Sequence, residues 1–329
     1  MKNQLIDKLN FILLWVSFYI AIKLPFELFL FSYAVLGPLH YLTEINWLND
    51  KNYFIKAKKQ WYIPYAVFAF IIALYSIVKF LDADVLLKFS LIGGILNILL
   101  FSGFLFAISL VSFSNSKQLM VAFILSLMCG ILVYFLAPAF LILVGVFLPT
   151  LVHVYIFTLF FMAFGTLKTR GVIGIINIVL LIIIPLLIFG TVEITRDYGI
   201  SEYTKNTYIE TRLINLNTFI AQTFGVFEEG KAYHVMTKIG VKIQIFIAFT
   251  YTYHYLNWFS KTSIIGWKNS LSSNRFKYII ILWVLAMLLY LYDYKTGLVV
   301  LLFLSFIHVF LEFPLNIISI KSLFKLKKP

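Results

Sequence analysis

The sequence predicts an all-α membrane protein, a polytopic bundle of about ten transmembrane helices. Of its 329 residues, 62% are hydrophobic and only 12% are charged, a balance that leaves too little polar surface for a soluble fold. The apolar residues fall in repeated runs of about twenty, which is the length that a helix needs to cross the hydrocarbon core. An aromatic content of 19% suits interfacial belts and packing against lipid.

Ten apolar runs are predicted to cross the membrane. They cover residues 6–23, 26–48, 61–81, 85–113, 118–136, 139–165, 171–190, 236–260, 277–292 and 296–320. Between the first two, Lys23, Pro25 and Glu27 allow either a tight turn or a kink with an ion pair one helical turn apart, and we favour the turn. No small-residue cleavage site follows the first run, which we therefore interpret as a retained anchor. No internal repeat is apparent.

Charge supports this topology. Basic residues collect in the segments that it places inside and most acidic residues in the outer segments, which predicts that both termini are cytoplasmic. A bacterial cytoplasmic (inner) membrane is the expected location. The net charge of +13 is explained by topology and by attraction to anionic lipid heads, so the lipid bilayer is the expected partner and nucleic acid is not. The single cysteine, Cys129, lies inside a span and excludes a disulfide framework; the sequence leaves the oligomeric state open.

We predict one transmembrane domain over residues 1–329, with an extramembrane insert at about 191–235. Charged and apolar residues alternate in the insert. That pattern allows a helix on the outer leaflet, a cap over an entrance, or a structured loop.

Histidines are the main functional signal. His40, His153, His254 and His308 each lie in an apolar run, whereas His234 lies in a polar segment. Under the predicted topology, all four runs cross the membrane in the same direction. A rise of about 1.5 Å per residue puts the four histidines roughly 9 to 18 Å from the inner ends of their helices. We expect the four imidazoles to share one layer in the inner half of the bilayer.

Two carboxylates accompany the histidines. Glu44 follows His40 by four residues and Glu312 follows His308 by four, so each lies on the helix face of its histidine. An acidic residue within a span costs on the order of 3 kcal/mol, which a cation would offset. Imidazole suits iron, zinc and copper, and a ligating histidine commonly donates its second N–H to a carboxylate. We predict four histidine ligands, with the glutamates as their partners or as alternative ligands, unless Glu44 extends to the inner interface.

A site inside the bilayer can receive apolar molecules directly from lipid. An isoprenoid, a carotenoid, a quinone or an acyl chain is therefore the expected hydrophobic substrate. Polar side chains near the histidines are predicted to line the substrate cavity: Thr250, Tyr253, Tyr255, Asn257 and Asn316. The alternative is that these side chains only join helices by hydrogen bonds, as Asn, Thr and Tyr often do between spans.

The histidine segments read GPLHYLTEINWL, LPTLVHVYIF, TYTYHYLNWF and FIHVFLEFPLN. In length, polytopic architecture and intramembrane histidines, the chain resembles the bacterial and archaeal membrane carotenoid dioxygenases of the Brp/Blh type. That resemblance implies histidine-bound iron and an oxygenase reaction. The four segments lack the histidine-glycine and paired-histidine signatures of that family.

The sequence therefore predicts a membrane metalloprotein, most simply a non-haem iron oxidoreductase or dioxygenase. One alternative is a b-type haem electron carrier, in which pairs of histidines ligate haem b axially. Others are a transporter with a charged intramembrane path and a lipid or glycan transferase in which a histidine acts as general base. The motifs GxGxxG, GxxxxGK[ST], HExxH and GxSxG are absent from the sequence.

Overall fold

The computed structural model describes residues 2–81, 92–194, 198–226, 234–261 and 266–325. Within these ranges the chain is helical and contains no β-strand. The α-helices are α1 (Lys2–Lys23), α2 (Pro25–Phe31), α3 (Gly37–Asp50), α4 (Ile63–Leu81), α5 (Ile92–Ser112), α6 (Ser116–Leu136), α7 (Pro138–Phe147), α8 (Thr158–Thr169), α9 (Val172–Gly190), α10 (Glu202–Glu210), α11 (Ile214–Phe224), α12 (Lys238–Ser260), α13 (Ser273–Tyr292) and α14 (Tyr294–Lys325). Two π-helical segments, Ser32–Leu36 and Leu148–Phe157, continue α2 and α7.

The described residues include nine helical segments that are long and apolar enough to cross a membrane: Gln4–Lys23, Pro25–Asp50, Lys59–Val78, Gly94–Ser112, Ser116–Leu136, Pro138–Leu167, Val172–Gly190, Ser273–Tyr292 and Tyr294–Phe324. They confirm the all-α polytopic bundle. Each overlaps a predicted span, although the first residues of the 85–113 span lie outside the described ranges. The cytoplasmic position of the termini stays a prediction.

Helix α12 corresponds to the remaining predicted span, 236–260. It has 23 residues, but Thr250, His254 and Asn257 make it more polar than the nine segments above. Burial explains how the helix carries these groups, because 17 of its residues are buried. Helices α1, α2, α9 and α11 pack against it. Helix α12 is thus a weak candidate for a membrane span by hydropathy alone, and yet it lies buried among the four helices that pack against it.

Contacts divide the chain into two compact units. The first comprises residues 1–40, 161–266 and 283–298, and α12 is its most buried helix. The second comprises residues 41–160, 267–282 and 299–329. In the second unit, α5 packs against α4, α6 and α7, and Tyr65 stacks on Phe310 with ring centroids 5.6 Å apart. The single-domain organisation stays a prediction.

Three breaks of one residue separate consecutive long helices, at Leu24, Ala137 and Asp293. At each break the residue donates its N–H to the carbonyl four residues earlier and accepts from the N–H four residues later, over 2.8–3.1 Å. Leu24 (φ −139°, ψ 58°) and Ala137 (φ −145°, ψ 61°) have nearly the same backbone conformation. The segments on either side of Leu24 are each long enough to cross a membrane, and the tight turn between them stays a prediction.

The breaks at Leu24 and Ala137 share two further features. Each is followed by a proline at the first helical position, where the missing N–H costs nothing. Pro25 precedes His40 by fifteen residues, and Pro138 precedes His153 by fifteen. A π-helical segment ends shortly before His40 and another contains His153. The residues between proline and histidine differ in the two segments.

The described part of the insert forms two helices, α10 and α11, and residues 195–197 and 227–233 lie outside the description. The Tyr208 ring packs against Phe26 at 5.3 Å. Its hydroxyl accepts from Gln244 Nε2 at 2.7 Å and donates to the Phe26 carbonyl at 3.3 Å. Asn217 Nδ2 donates to the Gly240 carbonyl at 3.0 Å. The insert is therefore fixed to α2 and α12 through buried polar contacts.

Candidate metal centre

His40 and His254 form the first of two buried histidine pairs. His40 lies on α3 and His254 on α12, and their Nε2 atoms are 3.1 Å apart. The rings are nearly perpendicular, with centroids 4.7 Å apart. Tyr255 and Trp258 pack against the His40 ring at 5.3 and 5.4 Å. Aromatic rings thus fix the orientation of one imidazole while its Nε2 faces the other.

His153 and His308 form the second pair, from the π-helical segment and from α14. Their Nε2 atoms are again 3.1 Å apart, with ring centroids at 5.0 Å and an interplanar angle of 75°. Tyr41 stacks on the His308 ring at 4.1 Å. Both pairs therefore share one arrangement: two buried imidazoles at right angles, Nε2 facing Nε2.

Glu312 orients one member of the second pair. Its Oε2 lies 3.0 Å from Nδ1 of His153, and both side chains are almost wholly buried. If Nδ1–H donates to this carboxylate, the lone pair of His153 is on Nε2, the atom that faces His308. The sequence placed Glu312 on the face of His308, which is on the same helix. The structure shows that it also reaches a histidine on another helix.

Glu44 is buried as well, with 2% of its surface exposed, and lies close enough to Glu312 for the two carboxyl groups to interact electrostatically. It does not extend to the interface. Among the described residues, no lysine or arginine is buried to the same degree. Protons, an imidazolium or a metal ion must therefore balance these two carboxylates.

The four histidines within the apolar runs are all buried, with 1% of His40, 2% of His153, 6% of His254 and 2% of His308 exposed. His234, by contrast, is exposed, and its Nδ1 accepts from the Met236 N–H at 3.1 Å. The distinction that the sequence draws between His234 and these intramembrane histidines is a real structural difference.

The side chains predicted to line a substrate cavity are all buried. The Thr250 hydroxyl donates to the Ile247 carbonyl at 3.0 Å, so its hydrogen bond is made within its own helix. Tyr253 contacts Asn10 and Met162 through its hydroxyl. Tyr255 packs against His40. The substrate role of these residues stays a prediction.

Asn257 and Asn316 differ from the other three. Asn257 Oδ1 is buried and has no hydrogen-bond partner among the described residues, and the same holds for both polar atoms of the Asn316 side chain.

Sequence reasoning missed Tyr41, which stacks on His308, and Trp258, which packs against His40. Tyr41 directly follows His40, and Trp258 follows His254 by four residues, which is the helical spacing for a shared face. An aromatic residue near each intramembrane histidine was therefore visible. In a chain with 19% aromatic residues, however, that signal does not stand out.

Comparisons with protein-family models, with curated proteins and with solved structures found no match.

Proposed function

We propose that the chain is an integral membrane metalloprotein, an iron-dependent oxidoreductase or oxygenase acting on a lipid-soluble substrate. His40, His153, His254 and His308 supply imidazole ligands, and Glu44 and Glu312 balance the charge of the ion and orient the rings. One observation carries the proposal: buried imidazoles face each other through Nε2 at 3.1 Å in two separate pairs.

The distance within each pair suits two ligands of one ion. Donor atoms about 2.1 Å from a metal lie roughly 3.0 Å apart at a right angle and roughly 3.4 Å apart at the tetrahedral angle. The observed 3.1 Å lies between these two values, so the spacing fits either octahedral or tetrahedral coordination. A hydrogen bond between two imidazoles has a similar length. Metal content is therefore the property that distinguishes a metal site from a hydrogen-bonded histidine pair.

The negative charge of two buried carboxylates supports a bound cation near them. Two carboxylates within spans each cost on the order of 3 kcal/mol, and Glu44 and Glu312 are 2% and 1% exposed. A divalent ion on the neighbouring imidazoles would neutralise both. Without an ion, protons on the carboxyl groups or on an imidazole would have to balance that charge.

The ligand types and the location favour iron and an apolar substrate. Histidines with a carboxylate are the ligands of oxygen-activating ferrous sites, which supply dioxygen activation at an open coordination position. The surrounding spans give an isoprenoid, carotenoid or acyl chain access from lipid. The resemblance to carotenoid dioxygenases points to the same substrate class.

Elemental analysis and an absorption spectrum of the purified protein test the proposal. We expect iron without a haem Soret band, and a sharp loss of iron in each of His40→Ala, His153→Ala, His254→Ala and His308→Ala. His234→Ala is the matched control and should keep the metal. One ion per chain would mean that the pairs share a centre, and two that each pair holds its own.

A Soret band would replace the proposal with the haem carrier. Absence of metal from the wild type, or equal metal in all five variants, would overturn it.

A further inference from the structure

Asn316 on α14 has an unusual environment for a buried amide. It is 1% exposed, and neither Nδ2 nor Oδ1 has a hydrogen-bond partner among the described residues. Buried polar groups in folded proteins are nearly always paired, because an unpaired one loses its hydration without replacement. A residue that keeps two such atoms in a membrane-spanning helix needs a physical reason.

Two other buried amides in the described ranges are paired with the protein through both donor and acceptor or through two donor bonds, whereas Asn177 and Asn257 each leave Oδ1 without a partner among the described residues. Gln244 donates to the Tyr208 hydroxyl and to the Pro25 carbonyl. Asn10 donates to the Ile6 carbonyl, and its Oδ1 accepts from Ser260. Asn316 differs from all of these amides, because both of its polar atoms lack a partner among the described residues.

The two unpaired atoms indicate what would bind there. A cation would satisfy Oδ1 alone and leave Nδ2 unpaired. A group that both accepts and donates, such as a hydroxyl, would satisfy both. Glu312 lies four residues earlier on the same helix face, so such a group would sit one helical turn from the carboxylate that contacts His153.

We propose that Asn316 binds the hydroxyl group of an apolar, chain-like substrate, so that the substrate class is a long-chain isoprenoid or fatty alcohol. The amide Nδ2–H donates a hydrogen bond to the alcohol oxygen, and Oδ1 accepts a hydrogen bond from the alcohol O–H. This contact sets which part of the chain lies beside the histidines. The reaction of this substrate rests on the proposed function, whereas the binding of its hydroxyl group by Asn316 does not.

Phytol and phytane are suitable probes, because they share one branched carbon skeleton and differ in the hydroxyl and the double bond beside it. Binding of the tritiated compounds is measured on the full-length protein in nanodiscs, with empty nanodiscs subtracted. We expect phytol to bind at least tenfold more tightly than phytane. Asn316→Leu should abolish that preference while keeping phytane binding.

Asn177→Leu is the matched control, since Asn177 already donates to the Asp7 carbonyl, and it should keep the preference for phytol. Asn316→Met replaces the leucine variant if that protein fails to fold. Equal binding of the two probes by the wild type, which is the result expected if a water molecule pairs the amide, would overturn the inference. So would a preference that survives in the Asn316 variants.

Metal content is measured on the same samples and on His308→Ala. A wild-type protein that prefers phytol but holds no iron counts against the proposed function alone. A wild-type protein that holds iron but binds the two probes equally counts against this inference alone.

Discussion

Oε2 of Glu312 lies 3.0 Å from Nδ1 of His153, and the two residues are on different helices. If Nδ1–H of His153 donates to this carboxylate, the lone pair lies on Nε2, which faces His308 at 3.1 Å. A carboxylate inside a membrane helix is costly, and here it has a definite partner.

Glu312→Gln tests this contact. The amide keeps the size of the side chain but removes its charge, so we expect metal affinity to fall about 10- to 100-fold with the fold retained. Titration with competing chelators measures the affinity. Glu202→Gln, at an exposed position on α10, should leave it unchanged. Wild-type affinity in the Glu312 variant would show that the carboxylate does not support the ligand.

Tyr208→Phe tests how the insert is held. The change removes the hydroxyl that accepts from Gln244 at 2.7 Å, which we expect to weaken the contact by about 1 kcal/mol. Hydrogen exchange should become faster across Glu202–Glu210 and stay unchanged in α5. Tyr203→Phe is the control, because Tyr203 is exposed. Unchanged exchange in Tyr208→Phe would mean that ring packing alone fixes the insert.

Asp293→Ala tests the third one-residue break. Asp293 Oδ2 accepts from the Thr296 N–H at 2.6 Å, and the bonds from Thr296 lower the pKa of Asp293 below its usual 3.8. Removal of such a cap costs about 1 kcal/mol, measured as a lower free energy of unfolding.

The pH dependence of that difference follows from its sign. Because the folded-state pKa is lowered, the stabilisation is present above pH 3.8 and is lost as pH falls through the folded value. Wild type and Asp293→Ala should therefore converge in acid. A difference that stays constant into acid would contradict the role of the ionised carboxylate.

Lys261→Met tests the residue that directly follows α12, at its C-cap position. Burial lowers the pKa of Lys261 from 10.5 to about 8, against the opposing effect of Asp7. Between pH 8 and 10.5 the folded chain then binds fewer protons than the unfolded chain, so the free energy of unfolding should rise with pH across this window. Thermal unfolding at several pH values measures the rise. Lys261→Met should lose it, and the exposed Lys268→Met should keep it.

The fold was largely predictable because the length of apolar runs is a strong signal in membrane proteins. The spans predicted at 118–136 and 171–190 match Ser116–Leu136 and Val172–Gly190 closely. Helix α12 shows the limit of that signal. Its polar side chains lower its hydropathy, yet neighbouring helices bury them.

The histidines were predictable as a set, since polar groups within apolar runs need partners. Their pairing was not. Which imidazole faces which depends on the rotation of each helix about its axis, and the π-helical segment that contains His153 alters that rotation in a way that helical periodicity does not reveal. The contact from Glu312 to His153 was hidden for the same reason.

The equal spacing from Pro25 to His40 and from Pro138 to His153 limits how the gene can change. Loss of one residue between proline and histidine would rotate the imidazole by about 100° and shift it by about 1.5 Å along the axis. The loops that join the spans have no such constraint. Insertions and deletions should therefore accumulate in those loops during evolution, while both fifteen-residue intervals keep their length.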